Sequence, residues 1–212
     1  MLRYLYASEL DAHPVLRRGM FTDRADQFRN RLGWDVSVDA HGEERDQYDT
    51  LNPLYVIWEQ PDGSHGGSMR FLPTTGSVMV NDVFGHLLTD GPVSSPLIWE
   101  CTRFCLARGA GSGVAAALML GGGEIMKGFG IAHFAAVFDY RMERVYRAIG
   151  ASPEVLGSEN TGRHRISVGL WSFSASARAR VALRAGVSPT LSRHWFERAF
   201  GRRGAGGRRL SA

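Results

Sequence analysis

Glu100 and Arg103 could do chemistry where the chain otherwise spends only apolar side chains. They stand three apart in Leu97-Ile98-Trp99-Glu100-Cys101-Thr102-Arg103-Phe104-Cys105-Leu106-Ala107, a run with no Gly or Pro inside it. Turn residues bound the run: Gly91-Pro92 and Ser94-Ser95-Pro96 before it, Gly109-Ala110-Gly111 after it. Such a segment reads as a central strand. Charges buried in a central strand are costly unless paired or used. One reading is a structural Glu–Arg pair; the other is a strand that lines a polar cleft. In a straight strand the two side chains point to opposite faces. Either they line two sides of the sheet, or a bulge near Cys101-Thr102 turns both toward one cleft.

Further groups could join such a cleft. Arg24 and Phe28 are four apart in a helical pattern and share a helix face, and Trp34 follows the Gly33 that ends the helix. Residues 35–53 are rich in acids, lack a helical period and hold Asp46, Tyr48 and Asp49. Loops of this length inside a compact domain are often functional. Taken singly, loop acids are normally solvated, and Phe28 and Trp34 are normally core. Arg70 sits in a second strand. Arg108-Gly-Ala-Gly-Ser-Gly113 precedes a helix. It is either an ordinary Gly-rich turn or a phosphate cradle at a helix N-terminus.

The elements that must position these residues follow from periodicity and breakers. A strand spans Leu2–Tyr6, and a helical pattern runs from Ser8 to about Leu32 with a break near Gly19. Strands follow at Leu54–Glu59 and Gly67–Leu72, joined by a turn at Pro61-Asp62-Gly63-Ser64. Residues 77–96 read as irregular. A helix spans about Val114–Phe129 despite Gly121-Gly122-Gly123, where interior glycines cost about 1 kcal/mol each relative to Ala. Close backbone packing is the expected reason. A strand at Ile131–Phe138, a helix at Tyr140–Ile149 capped by Asp139 and ended by Gly150, and strands at Ser152–Leu156 and Arg165–Phe173 complete the body. One or two Arg-rich helices, broken at Gly186-Val187-Ser188-Pro189, follow from Ser174. The order predicts an α/β domain, a three-layer αβα mixed sheet over residues 1–173. Residues 174–212 form an Arg-rich helical extension and a disordered Gly/Arg tail.

Composition sets limits. A chain of 212 residues fits one domain, and no run of about 18 apolar residues marks a membrane span. The start, Met1 to Glu9, is too soon acidic for a signal peptide, so the expected compartment is the cytoplasm. Cys101 and Cys105 on one strand would lie about 13 Å apart. That is beyond the roughly 7 Å reach of a disulfide. No His/Cys spacing resembles a metal site, so no metal is expected. From Ser174 onward nine arginines face one acid, Glu197, whereas residues 1–173 hold 16 basic and 20 acidic residues. The basic pI therefore belongs to the extension. Its readings are a solvated terminal helix first, docking of an acidic carrier protein second, and nucleic-acid or membrane contact last.

Set side by side, Arg24-x3-Phe28-x5-Trp34, Glu44-Arg45-Asp46-Gln47-Tyr48-Asp49, Gly67-Ser68-Met69-Arg70-Phe71-Leu72-Pro73-Thr74-Thr75, Phe84 and Glu100-Cys101-Thr102-Arg103-Phe104 resemble the acyl-homoserine lactone synthases. These are the LuxI-type autoinducer synthases, which share a core with GCN5-type N-acetyltransferases. The resemblance covers about residues 1–173. It implies transfer of an acyl group from a thioester, usually on acyl carrier protein, to the amine of S-adenosylmethionine. The methionyl carboxylate then closes the lactone and methylthioadenosine leaves. S-adenosylmethionine is a substrate here, so no cofactor is implied.

The resemblance also assigns roles. Asp46 and Asp49 offer negative charge to the ammonium or sulfonium, Arg24 and Arg103 pair with carboxylates, and Phe28 and Trp34 offer aromatic faces. Glu100 is the base, directly or through one water. Arg103 and Arg70 stand beside it in the catalytic set, Arg70 by ordering the acidic loop. Met79, Phe84, Trp99, Leu118, Met119, Ala135, Ala136 and Phe138 would line the acyl pocket. Relatives making 3-oxo products often carry a hydroxyl residue where Ala136 falls, so a 3-unsubstituted product of medium or long chain is expected. Arg108, Gly111 and Gly113 would meet phosphopantetheine; coenzyme A is the second reading of that turn. The alternative function is a GCN5-type N-acyltransferase on another amine, without lactonisation.

Overall fold

A computed structural model of the chain describes residues 1–201. The disordered tail expected past Gly201 lies outside the described residues. Seven strands form one mixed sheet in the order β1-β2-β3-β4-β5-β7-β6: β1 Leu2–Tyr6, β2 Leu54–Glu59, β3 His65–Pro73, β4 Ile98–Leu106, β5 His133–Asp139, β6 Glu154–Glu159 and β7 Ile166–Ser172. Every pairing is antiparallel except β4 with β5. That parallel pair is short. It joins Ile98–Glu100 to His133–Ala135, after which the two strands separate.

Strand parity sorts the layers. Leu54 and Val56 of β2 point into the main core with Met69, Phe71 and the helix α3, Val114–Phe129. Tyr55 and Ile57 point the other way, onto Leu16, Met20 and Phe21 of α1, Pro14–Ala25. With both faces covered, β2 is a continuous buried apolar run, as expected of a two-sided central strand. The three-layer αβα architecture is the one the element order predicts.

Local differences from the sequence reading have physical causes. The N-terminal helical stretch does not break at Gly19 but at His13-Pro14, where a 3-10 turn Ala7–Ala12 gives way to α1 with Pro at its start. Gly19 lies mid-helix because a Cβ there would stand 3.0 Å from the Cβ of His65. Past Ala25 the helix widens into π-type turns over Asp26–Arg31. The stretch 77–96 contains a short helix, α2 (Met79–Asp82), and a 3-10 turn, Gly85–Leu87. Asp139 caps α4, Tyr140–Ile149, by accepting from the Arg141 and Met142 N–H groups at 3.0 and 3.2 Å.

The two arginine-rich helices, α5 Ala175–Ala185 and α6 Pro189–Phe200, are not a solvated appendage. Val181 and Ala182 are buried against Ala116 and Leu120 of α3. Phe196 is buried against Tyr4, with ring centroids 5.4 Å apart. Arg178 of α5 pairs with the buried Glu124 of α3. No helix among the described residues is long and apolar enough to cross a membrane.

Candidate active site

Three arginines and three carboxylates from four segments meet on the α1 side of the sheet. Arg24 of α1 donates Nε to Glu44 at 2.6 Å and both terminal nitrogens to Asp49 at 2.9 Å. Arg70 of β3 donates to Asp46 at 2.5 and 3.0 Å, to Asp49 at 2.8 Å and to the Thr102 hydroxyl at 3.0 Å. Arg103 of β4 reaches Glu44 at 2.9 Å and Asp46 at 2.8 Å. The acids are set by their own backbone. Asp46 caps a 3-10 turn, Gln47–Leu51, by accepting from the Tyr48 N–H at 3.0 Å, while Asp49 accepts from the Asp46 N–H at 2.9 Å.

The charges of this hub cancel pair by pair. Burial alone would raise the Asp49 carboxyl. Arg24 and Arg70, with a 2.6 Å hydrogen bond from Tyr55, overcome it and hold Asp49 well below the usual carboxylate range. Burial opposes the charge of Arg24, but Asp49 and Glu44 reverse the outcome and raise its pKa. Arg24 and Arg70 are buried side chains, and every polar contact just named goes to protein. The sequence reading assigns Arg24, Asp46 and Asp49 to S-adenosylmethionine; in the structure their side chains hydrogen-bond within the hub. Arg70, read as the residue that orders the acidic loop, bridges both of its aspartates. Glu44 was not singled out in the sequence, yet it is fully buried and links Arg24 to Arg103.

Arg103 is the hub member that lines the neighbouring cavity. The β3–β4 register runs Arg70 opposite Thr102, then Ser68 opposite Cys105. One extra residue therefore bulges from β4 at Arg103-Phe104, rather than at Cys101-Thr102. Arg103 has φ +53°, a left-handed conformation that a long side chain rarely adopts. The bulge carries Arg103 onto the face of Glu100 and Thr102. Both of its carboxylate contacts use Nη2, so the guanidinium keeps further donors. Its Nε is buried with no hydrogen-bond partner among the described residues. Its Cζ sits 5.4 Å over the Phe28 ring. Phe28 in turn stacks on Trp34 at 5.2 Å and 14°, and Trp34 is 40% exposed.

Glu100 lies beneath α2. Its carboxyl accepts from the Met79 and Val80 N–H groups at 3.1 and 2.5 Å. Burial pushes it up to about 7, against the pull of those two N–H groups and of Arg70. A carboxyl tuned near neutrality is suited to proton transfer.

Beyond the short β4–β5 pairing, the separating strands open into a cavity of about 690 Å³. Phe28, Trp34 and Arg103 line it, as do Met79, Phe84, Met119, Ala136 and Phe138 of the expected acyl pocket. Its wall extends to Ala177, Arg178 and Val181 of α5. Trp99, Leu118 and Ala135 are not on that wall. Leu118 and Ala135 are fully buried, and Trp99 packs on Phe129 at 5.8 Å. Gln27, which sequence reading passed over, also lines the cavity. Its amide donates to the Phe104 carbonyl at 2.8 Å and accepts from the Leu106 N–H at 2.9 Å. It covers the β4 backbone where no strand does. At the Gly-rich turn, Arg108 is exposed and pairs with Asp26 at 2.9 Å, while Gly113 precedes α3 and packs 3.0 Å from the Ala185 carbonyl, measured from where a Cβ would stand.

Known proteins share both sequence and fold. Residues 8–180 match the autoinducer synthase family. An acyl-homoserine-lactone synthase of Rhizobium etli is 40% identical over 183 residues, 82% of this chain and 85% of that protein. The structure of the AHL synthase LasI superposes with a TM-score of 0.74 at 27% identity, covering 85% of this chain and 93% of that one. A CoA-dependent acyl-homoserine lactone synthase, BjaI, solved with SAM and isopentyl-CoA, has the same fold at a TM-score of 0.78 and 24% identity, covering 88% and 90% of the two chains. The crystal structure of a putative N-acetyltransferase from Lactobacillus plantarum shares the fold at a TM-score of 0.54 and 15% identity, over 82% of this chain and 99% of that one. The chain belongs to the autoinducer synthase family and is an acyltransferase of the acyl-homoserine-lactone synthase class.

Proposed function

We propose that the chain transfers an acyl group from a thioester to the α-amine of S-adenosylmethionine and then closes the lactone. The observation that carries this reading is Arg103, turned by the β4 bulge to the mouth of an apolar cavity and flanked by the Phe28–Trp34 stack. Trp34 and Phe28 hold the adenine or sulfonium, and the spare donors of Arg103 hold the carboxylate. The remaining hub residues act behind Arg103, fixing its position. The acyl chain lies in the cavity between β4 and β5, with the thioester near the end of their pairing.

An α-amine titrates near 8, so part of it is already neutral at pH 7. Its nitrogen attacks the thioester carbonyl, the C–S bond breaks and the sulfur leaves as a thiolate, which finally takes up the proton the amine gives up. The amine proton passes through one water to Glu100, because both Glu100 oxygens face α2. Backbone N–H groups of β4 past Glu100 serve the developing oxyanion. The carboxylate oxygen then attacks the γ-carbon, the carbon–sulfonium bond breaks, and methylthioadenosine departs. A five-membered ring makes this step mainly a matter of holding the carboxylate close.

The favoured donor is acyl carrier protein. Coenzyme A is the second reading, through the Gly-rich turn before α3. A medium or long, 3-unsubstituted chain suits Ala136 and the cavity walls. The proposed compartment is the cytoplasm, which the two free cysteines suit. The test incubates the protein with S-adenosylmethionine and acyl carrier protein and CoA thioesters of varied length, then measures lactone and methylthioadenosine by mass spectrometry. Both products together support the reading and name the donor. Free thiol without methylthioadenosine overturns it in favour of simple acyl transfer or thioester hydrolysis.

A further inference from the structure

α3 carries four interior glycines, and packing accounts for two of them. A Cβ on Gly121 would stand 2.7 Å from Cγ1 of Val56, and one on Gly128 would stand 2.2 Å from the Phe196 ring. Neither position admits a side chain without displacing its neighbour. Gly122 and Gly123 differ. A Cβ on Gly122 would meet Phe134, Phe71 and Met69 at 3.4, 3.6 and 3.7 Å, which is ordinary contact. A Cβ on Gly123 would meet nothing within 4 Å. Neither glycine has a positive φ. Helix packing and backbone geometry would therefore accept alanine at both, and alanine is the better helix former.

What Gly122 and Gly123 share is the cavity. Both line it, between Met119 and Met126 of the same helix and opposite Ala136. Further along, the wall is made by Ala177 and Val181 of α5. We propose that Gly122 and Gly123 are specificity-determining residues: their missing side chains set the bore of the acyl cavity and let a medium or long chain cross α3 toward α5. This deepens the lactone-synthase reading and rests on it. A side chain at either position projects into space the acyl chain would use. It excludes long chains by steric conflict while short chains stop before reaching it.

The test uses the full chain with Gly122→Leu and Gly123→Leu, S-adenosylmethionine, and an equimolar mixture of short and long acyl thioesters on both carrier protein and CoA. The ratio of long-chain to short-chain lactone is expected to fall at least about tenfold in each variant. In parallel, Gly122→Ala and Gly123→Ala should each raise the melting temperature by about 2–4 °C. Should a leucine variant not fold, the double alanine variant carries the same test, with an expected fall of roughly threefold in the ratio. An unchanged ratio in an active variant overturns the proposal. So does a lower melting temperature in the alanine variants, which would make these glycines structural. Failure of the lactone-synthase reading itself is separate: the unsubstituted protein would then make no lactone from any donor.

Discussion

The charged hub and the apolar cavity lie on either side of Arg103 and are built on opposite rules. In the hub every strong group is matched, so Arg24, Arg70, Glu44, Asp46 and Asp49 hold one geometry and have little left to offer a ligand. In the cavity most of the wall is apolar, with methionine, alanine, glycine and phenylalanine giving it shape, and charged side chains such as Asp139, Arg141 and Arg178 stand on the lining as well. Arg103 joins the two, its Nη2 held by Glu44 and Asp46 of the hub while its side chain lines the cavity beside the Phe28–Trp34 stack. Position comes from the hub and capacity from the cavity.

The comparison breaks most visibly at Arg24. Arg24→Ala leaves Glu44 to Arg103 and Asp49 to Arg70 and Tyr55 but removes one cation from a buried, charge-balanced cluster, with an expected cost of about 3–5 kcal/mol. Thermal unfolding checks it: a melting temperature within a few degrees of the parent would mean the hub is not the scaffold described here. The next effect concerns pH. Glu100 titrates at about 7 against an ordinary 4.5. A raised carboxyl contributes stability that is fully present below the ordinary value and lost as pH rises through the folded one. The unsubstituted protein should therefore lose on the order of 3 kcal/mol relative to Glu100→Gln between about pH 4.5 and pH 8. Asp49 has the opposite sign, its contribution being lost only in strong acid as pH falls through its lowered pKa. Denaturant unfolding of both proteins across that range measures the difference, and parallel curves would remove Glu100 from the neutral-pH titration. The smallest effect sharpens the contrast. Trp34→Ala removes an exposed stacking face worth about 1 kcal/mol in stability. It should raise the Michaelis constant for S-adenosylmethionine far more than that for the acyl donor. Equal rises in both would place Trp34 in the scaffold.

Much of this was legible in the chain. Apolar alternation, Asp139 and the Gly150 stop give the sheet and its helices, and the charges inside β4 point to a bulge and a cleft. The residues that could be read were those whose type conflicts with their surroundings. Glu44 could not be told in the sequence from its charged neighbours Glu43 and Arg45, because the pairing that buries it depends on an arginine twenty residues earlier. Gln27 was silent for a similar reason: its role needs β4 to lie open alongside it, which is a fact of tertiary structure. The glycines of α3 were noticed, but one motive was assigned to all three, whereas packing holds Gly121 and not its two neighbours. The arginines of α5 and α6 drew attention to charge and hid the apolar residues that seat these helices on α3.

The three-pair ladder between β4 and β5 has a mechanical consequence. On either side of it the sheet is laced by longer antiparallel ladders, so the sheet behaves as two stiff plates joined by a narrow hinge at Glu100 and Ala135. Shear along the strands is resisted by both plates. Counted in backbone hydrogen bonds alone, the least restrained seam of the sheet is therefore the one beside the apolar cavity, and the buried carboxyl of Glu100 stands at its closed end.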